Sequence, residues 1–146
     1  MKKIFLIITI VITFTSCLGT DQGESKIFSY KVINASNKSI TIKSFYNYNT
    51  SIDPIITNIN IGEEVVKSET DYPPGYGETN FRRFFGEERD SIVIIYNSEK
   101  IESFLYECSS NNRNPLNFCI YNNLEEIFTF TQEDYNNAED CNGNCD

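Results

Sequence analysis

Five cysteines are the residues of this sequence whose type and spacing could do chemistry: Cys17, Cys108, Cys119, Cys141 and Cys145. The sequence contains no His. It therefore lacks the usual general base at neutral pH and the commonest metal ligand, which excludes every Ser-His or Cys-His mechanism. The Cys141 and Cys145 pair lacks Cys-x-x-Cys spacing and a nearby basic residue that would lower a thiol pKa. We expect the cysteines to anchor and cross-link the chain.

Cys17 follows a segment with the pattern of a secretory leader. Lys2 and Lys3 give it a positive start, and Ile4 to Phe14 is an apolar run interrupted only by two Thr residues. This run is too short for a bilayer span, which needs about 20 residues, but has the length of a signal-peptide core. The small residues Thr15 and Ser16 then precede Cys17.

These residues resemble the lipobox of bacterial lipoproteins. The resemblance implies cleavage after Ser16 and attachment of a diacylglycerol to Cys17, with Phe14 standing where Leu is commonest. The alternative is an ordinary secretory leader with a chance cysteine. The lipobox, together with a richness in Asn, Ile and Tyr, is similar to the small envelope lipoproteins of the Bacteroidota. This similarity implies a lipid anchor, expected in the outer membrane, with the domain in the periplasm or at the cell surface.

Lipidation of Cys17 would leave an even number of cysteines for an oxidising compartment, which favours two disulfides. Four cysteines allow three pairings. We favour Cys108–Cys119 and Cys141–Cys145, because each pair closes a short loop rich in Asn, Ser or Gly. The alternative is free thiols.

The tail DCNGNCD places oxygen-bearing side chains at Asp140, Asn142, Asn144 and Asp146. Alternating Asp and Asn residues are the ligand pattern of a calcium loop, so these four are candidate metal ligands. The resemblance to an EF-hand is partial, because the Gly falls at the fourth position and the Glu at the twelfth is missing. The alternative is a disulfide-closed polar tail in which Asn-Gly forms the turn.

Charge restricts the partners of the chain. The sequence has 21 acidic and 12 basic residues, a net charge of −9, and removal of the leader would make it more acidic. Such a surface repels nucleic acid and anionic headgroups. We therefore expect no nucleic-acid partner and a membrane contact through the lipid anchor alone.

The remaining pattern predicts an all-β domain over residues 26–131, after a lipidated tether at 17–25 and the leader at 1–16. Alternating apolar and polar residues predict strands, and the apolar run Ser91–Tyr96 predicts a central strand buried on both faces. The other predicted strands are 26–34, 38–46, 55–60, 63–68, 81–85, 100–106, 118–121 and 126–131. We expect an antiparallel β-sandwich or small barrel of about seven to nine strands.

The order of these strands predicts three hairpins: 26–34 with 38–46, 55–60 with 63–68, and 91–96 with 100–106. Residues 132–146 are expected to form a short helix, begun by the Thr131 hydroxyl, and a cysteine-containing tail. No internal repeat is evident.

A loop that follows residue 68 concentrates rings at Tyr72, Pro73, Pro74 and Tyr76. One interpretation is a partner-binding loop, and the other is a connection folded over the sheet edge by its own rings.

No phosphate loop, zinc cluster or nucleophile elbow is present, and nothing singles out a carboxylate pair for hydrolysis. The sequence therefore predicts no cofactor and a non-enzymatic envelope lipoprotein that binds or supports another protein. The alternative is an inhibitor or immunity lipoprotein that blocks a periplasmic or extracellular enzyme or toxin. A carboxylate-only hydrolase is a third reading.

Overall fold

The structure is a computed structural model that describes residues 23–46, 52–72, 80–86, 88–143 and 145. These residues form eight strands in two sheets with two short helices. The elements in chain order are β1 (Lys26–Asn34), β2 (Ile40–Tyr46), β3 (Ile55–Ile59), β4 (Glu64–Asp71), α1 (Arg82–Phe85), β5 (Arg89–Tyr96), β6 (Lys100–Leu105), β7 (Glu125–Phe130), α2 (Gln132–Asn137) and β8 (Glu139–Asp140). The predicted all-β sandwich with a short C-terminal helix is confirmed. Within the described ranges, no helix has the length and apolar character needed to cross a bilayer.

The two sheets have the orders β4-β1-β7 and β3-β2-β5-β6-β8. Their strand pairs are antiparallel except for β1 and β7, which run parallel. The inner faces of the two sheets share one apolar core, in which Tyr96 of β5 meets Phe130 of β7 edge to face. Burial of these faces supplies the main driving force for folding.

Strand β5 lies at the centre of the larger sheet, as its apolar sequence predicts. Ile92, Ile94 and Tyr96 face the core and are fully buried. The predicted hairpin with β6 is confirmed, and its turn residues Asn97 and Ser98 both have positive φ. Positive φ at both central positions is what a type I′ turn requires, and the twist of such a turn suits a hairpin.

The predicted hairpin between the first two strands is wrong, because β1 and β2 belong to different sheets. Asn34 makes the corner between them. Its side chain is fully buried, and its amide nitrogen donates to the carbonyl oxygens of Lys38 at 2.8 Å and Ile59 at 3.1 Å. Its amide oxygen accepts from the Ser36 hydroxyl at 2.7 Å. These bonds satisfy backbone groups that a sheet ladder would otherwise pair.

The predicted hairpin of 55–60 with 63–68 is wrong for the same reason. Strand β3 pairs with β2, while β4 pairs with β1, so the turn at Gly62 also passes from one sheet to the other. The predicted strand at 118–121 is wrong as well. Those residues form turns, in which the N–H groups of Ile120 and Tyr121 donate to the carbonyl oxygen of Asn117.

The segment FRRFF is helix α1, not the strand predicted over residues 81–85. Phe81, Phe84 and Phe85 are spaced as i, i+3 and i+4, so one helical turn places all three rings on the core side. All three are buried. An extended segment would instead place Phe84 on the face opposite to Phe81 and Phe85. Gly86 ends the helix with a φ of 115°, in the region that favours glycine.

Arg83 of α1 is buried and forms an ion pair with strand β4 of the smaller sheet. Its guanidinium binds both carboxylate oxygens of Asp71 at 2.8 Å and one oxygen of Glu69 at 3.0 Å. It also lies over the ring of Phe28, 4.2 Å from the ring centroid. Arg83 is 7% exposed, so this ion pair fixes α1 against β1 and β4 and is not a solvated surface pair.

Both predicted cysteine pairs are bonded. Cys108–Cys119 closes a loop of separation 11, and Cys141–Cys145 closes one of separation 4. The loop between Cys108 and Cys119 covers one end of the sandwich, where Leu116 enters the core. The longer disulfide therefore holds an element that the core depends on.

Removal of the Arg83 guanidinium tests the buried ion pair. We expect Arg83→Ala to lower the free energy of unfolding by about 3–5 kcal/mol, because it leaves the Asp71 carboxylate partly buried without its cation. Lys31→Ala is the control, since Lys31 pairs with Glu64 at the surface and should change stability by less than about 1 kcal/mol. Urea unfolding measures both. Equal losses of unfolding free energy in the two variants would contradict the burial of the ion pair between Arg83 and Asp71.

The two disulfides are expected to differ in their contributions. Because its loop is larger, loss of the Cys108–Cys119 disulfide should cost more stability than loss of the Cys141–Cys145 disulfide. We expect Cys108→Ser/Cys119→Ser to lower the free energy of unfolding by about 2–3 kcal/mol and Cys141→Ser/Cys145→Ser to lower it by less. Urea unfolding of the two variants gives the order, and non-reducing peptide mapping gives the pairing. A reversed order would show that the longer loop does not support the core.

Candidate functional site

The described part of the chain includes only some of the residues singled out from the sequence. Cys17 lies outside it, as do Pro73, Pro74 and Tyr76 of the proposed partner-binding loop. Tyr72 follows β4 and is 71% exposed. The lipidation site and the partner-binding loop therefore stay predictions.

The tail residues are only partly described. Asp140 lies in β8, and the amide of Asn142 donates to the Asp140 carbonyl oxygen at 3.3 Å. Asn144 and Asp146 lie outside the described residues, so the calcium site stays a prediction. Elsewhere in the described ranges no group of three or more His, Cys, Asp or Glu side chains is arranged to hold a metal.

A polar cleft lies between β6 and the end of α2. Its volume is about 370 Å³, and we call it the Glu102 cleft. It is lined by Ile101, Glu102, Ser103, Asn137, Ala138 and Glu139. It exists because β8 pairs only with Lys100 and Ile101 of β6, so the sheet stops one residue before Glu102.

Glu102 is the residue of this cleft with unusual electrostatics. It stands opposite Ile94 in the β5–β6 pair and therefore lies on the core side of the sheet. Its carboxylate accepts a hydrogen bond from the Tyr96 hydroxyl. Burial raises the pKa of Glu102 to about 7, against the opposing effect of the Tyr96 hydrogen bond and with an added contribution from the charge of Asp134.

The groups that face Glu102 come from three elements. Tyr96 lies on β5, Asp134 on α2, and Arg113 on the loop between the cysteines of the longer disulfide. Arg113 donates to the Asp134 carboxylate at 2.8 Å and to the Thr129 carbonyl oxygen at 2.7 Å. Burial raises the pKa of Asp134, but hydrogen bonds from Arg113 and Thr131 outweigh it and leave the pKa below its ordinary value. Asp134 is thus held as a carboxylate, whereas Glu102 titrates near neutrality.

The predicted start of α2 positions these groups. The Thr131 side chain accepts from the Asp134 N–H, and the Asp134 carboxylate accepts from the Thr131 N–H, which completes a capping box. At the other end of α2, Lys100 donates to the carbonyl oxygens of Asn136 and Ala138, both at 3.0 Å. The helix is therefore fixed at both ends beside the cleft.

An apolar groove lies on the outer face of the same sheet. It has a volume of about 270 Å³, and its lining residues are Phe45, Ser91, Ile92, Val93, Ser103, Phe104 and Leu105. Ser103 is exposed and lines both this groove and the Glu102 cleft. Strand β6 therefore separates an acidic cavity from an apolar one.

Local sequence patterns indicate few of these residues. Glu102 is one of 21 acidic residues. Its position between Ile101 and Ser103 shows only that it faces the opposite side of a strand from them. The helical spacing of Phe81, Phe84 and Phe85 was a usable signal for α1. The Arg113–Asp134 pair joins residues 21 positions apart, and no local pattern indicates it.

Removal of the Glu102 charge should change how stability depends on pH. Between the ordinary value of 4.5 and the raised pKa of about 7, the folded carboxyl retains a proton that the unfolded chain releases. Stability of the protein therefore falls as pH rises through this window. At pH 8 we expect Glu102→Gln to be more stable than the unmodified chain by about 2 kcal/mol after allowance for partial exposure.

The gain should disappear near pH 5, where Glu102 is already neutral. Thermal and urea unfolding between pH 5 and pH 8 measure it. Glu125→Gln, which changes an exposed carboxylate on β7, is the matched control and should leave the pH dependence unchanged. Parallel curves for Glu102→Gln and the unmodified chain would contradict the raised pKa.

Comparison of the chain with known protein families, with curated proteins and with solved structures gives no match. The function must therefore be inferred from the chain's own residues. Those residues are the leader with its cysteine, the disulfide-bonded sandwich, and the two cavities on either side of β6.

Proposed function

We propose that this chain is a lipid-anchored lipoprotein of the bacterial cell envelope, whose β-sandwich binds another protein without catalysing a reaction. The observation that carries the proposal is the segment Met1 to Cys17. Its positive start, its short apolar run and the cysteine directly after two small residues together resemble a lipoprotein leader.

The disulfides support an extracytoplasmic compartment. Disulfides persist in oxidising compartments and are rare in the cytosol. Cys108 pairs with Cys119, and Cys141 pairs with Cys145. Cys17 is the remaining cysteine of the sequence, so its thiol is available for the lipid.

The side chains favour binding over catalysis. The sequence lacks His, and Glu102, the cleft carboxyl whose pKa is raised by burial, is engaged by the Tyr96 hydroxyl. The apolar groove, by contrast, leaves Leu105 41% exposed beside an acidic cleft. An apolar surface bordered by polar groups is typical of a protein-binding site.

A lipid anchor gives the proposal physical consequences. Each buried lipid methylene contributes about 0.8 kcal/mol, so one chain binds a membrane weakly while two or three chains hold firmly. The acidic domain is repelled by anionic headgroups. Attachment should therefore depend on Cys17 and not on the sandwich.

Metabolic labelling with a radioactive fatty acid tests the anchor. We expect the unmodified chain to incorporate label and to sediment with membranes, and Cys17→Ala to lose the label. Cys108→Ser is the matched control, because it removes a cysteine that is paired within the domain. If Cys17→Ala kept both the label and the membrane location, the proposal would be wrong.

The identity of the bound protein separates two roles. Capture from detergent-solubilised envelopes should recover a resident envelope protein if the sandwich supports an envelope complex. Recovery of a secreted toxin or hydrolase as the sole partner, together with loss of its activity, would instead assign the chain as an inhibitor or immunity lipoprotein.

A further inference from the structure

The smaller sheet has apolar side chains at one end of its three strands. Strand β1 begins at Lys26, opposite the end of β4. Tyr72 follows β4 directly, and Ile27 is the second residue of β1. On the other side of β1, the carbonyl oxygen of Leu124 accepts from the Ser29 N–H at 2.8 Å, just before β7 begins. Tyr72, Ile27 and Leu124 therefore lie at the ends of three neighbouring strands, and all three are exposed.

The loop before β7 adds two more exposed apolar side chains, Phe118 and Ile120. The carbonyl oxygen of Tyr121 in this loop accepts from the Phe81 N–H at 3.1 Å, so the loop lies beside α1. Helix α1 belongs to the same end of the sandwich, because its Arg83 binds the last residue of β4. We call this end of the sandwich, with Tyr72, Ile27, Leu124, Phe118 and Ile120, the β1-start end.

The opposite end of the sandwich is polar. It consists of the corner at Asn34, the turns at Gly62 and Asn97, and helix α2, whose Gln132 side chain accepts from the backbone of the Asn34 corner. Among the described residues of these segments, Ile61 is the one large apolar side chain that is exposed. Exposed apolar residues that are grouped on one part of a surface mark an interaction site.

The position of Cys17 restricts what can cover the β1-start end. Lys26 follows Cys17 by nine positions, and nine residues span at most about 32 Å when fully extended. Strand β1, also of nine residues, is itself about 30 Å long. To bring the opposite end to a bilayer, the connection would have to run fully extended along the whole sandwich. A lipid on Cys17 therefore directs the β1-start end toward the membrane.

We propose that the β1-start end lies against the membrane surface, with Tyr72, Ile27 and Leu124 at the level of the lipid headgroups. The membrane interface accepts apolar side chains, and it favours Tyr because the ring is apolar while the hydroxyl stays in water. This inference rests on the proposed lipid anchor and specifies how the domain is oriented on the membrane.

The contact orients the domain and does not attach it. A few partly exposed side chains bury much less apolar surface than the methylenes of two or three acyl chains. The net charge of −9 opposes approach to anionic headgroups, so we expect the contact with zwitterionic lipid. Attachment then depends on Cys17, while the apolar side chains select the end of the sandwich that meets the bilayer.

Fluorescence quenching in vesicles tests the inference on the lipidated chain. An environment-sensitive fluorescent amino acid replaces Tyr72 in one chain and Ile61 in the control, because these side chains are 71% and 64% exposed at opposite ends. The chains are reconstituted in phosphatidylcholine vesicles that carry a nitroxide on the headgroup. We expect quenching at least about threefold stronger at Tyr72, since only that end reaches the interface. Equal quenching, or stronger quenching at Ile61, would overturn the orientation.

Variants in the chain labelled at Tyr72 distinguish contact from proximity. Ile27→Gln/Leu124→Gln should lower the quenching at least about twofold, because it removes apolar side chains from the interface. Val66→Gln/Ile127→Gln is the matched control, since it changes two exposed residues of β4 and β7 in the middle of the smaller sheet. Quenching that the two double variants change equally, or that neither changes, would mean that the connection alone brings this end near the bilayer and would overturn the contact.

Photo-crosslinking in living cells tests whether the occupant is lipid. A benzophenone side chain at Tyr72 should crosslink to lipid and give no protein adduct. A crosslink to another protein is what the interpretation of Tyr72 as part of a partner-binding loop predicts. Such a crosslink, or one to a second copy of the chain, would assign the β1-start end to that partner and overturn the inference.

Fatty-acid labelling reports the anchor independently of quenching. If Cys17 carries lipid but Tyr72 and Ile61 are quenched equally, the inference fails and the proposed function stands. If cells attach no lipid to Cys17, the proposed anchor fails. The orientation is then tested in a chain coupled at Cys17 to a maleimide lipid, which is selective because the other four cysteines are paired.

Discussion

The burial of β5 on both faces is the constraint on which the rest of the structure depends. Five of its eight residues are buried, so the strand needs neighbours on both sides and a second sheet beneath it. Strand β2 supplies one neighbour and β6 the other. The hairpin then forces β6 to the margin of the sheet, where β8 covers only two residues. The two cavities beside β6 follow from that arrangement.

Buried polar groups hold the sandwich at places where the strands change sheet. Asn34 turns the chain from one sheet to the other, and Arg83 binds α1 to β4 through two carboxylates. Arg113 and Asp134 join the disulfide-closed loop to α2. Asn34 bonds to backbone carbonyl oxygens and to Ser36, and the two arginines pair with carboxylates, so the polar groups that are buried have hydrogen-bond partners. The contacts of Arg113 and Lys100 fix α2 beside the cleft.

The sequence predicted those elements whose signals are local. The central strand and its hairpin followed from one apolar run and a tight turn, and the helix cap followed from Thr131 and the acids after it. Both cysteine pairs were predicted from short loops. The pairing of strands into sheets was not predicted correctly. A tight turn such as that after Asn34 specifies a change of chain direction, but it does not specify which sheet the next strand joins. Alternation predicts a strand for FRRFF, but the i, i+3, i+4 spacing of its Phe residues is helical, and the chain forms α1. The perturbed Glu102 required the fold, since its burial arises from residues distant in sequence.

In the proposed function, the sandwich binds another protein through the apolar groove on the outer face of the larger sheet. The most direct measurement is photo-crosslinking in living cells, with a benzophenone side chain at Ser103 and, as the control, at Ser68 on the outer face of the smaller sheet. Both positions are exposed. We expect Ser103, which lines the apolar groove, and not Ser68, to crosslink to an envelope protein. Equal crosslinking from both positions, or crosslinks from neither, would contradict the binding role of the groove.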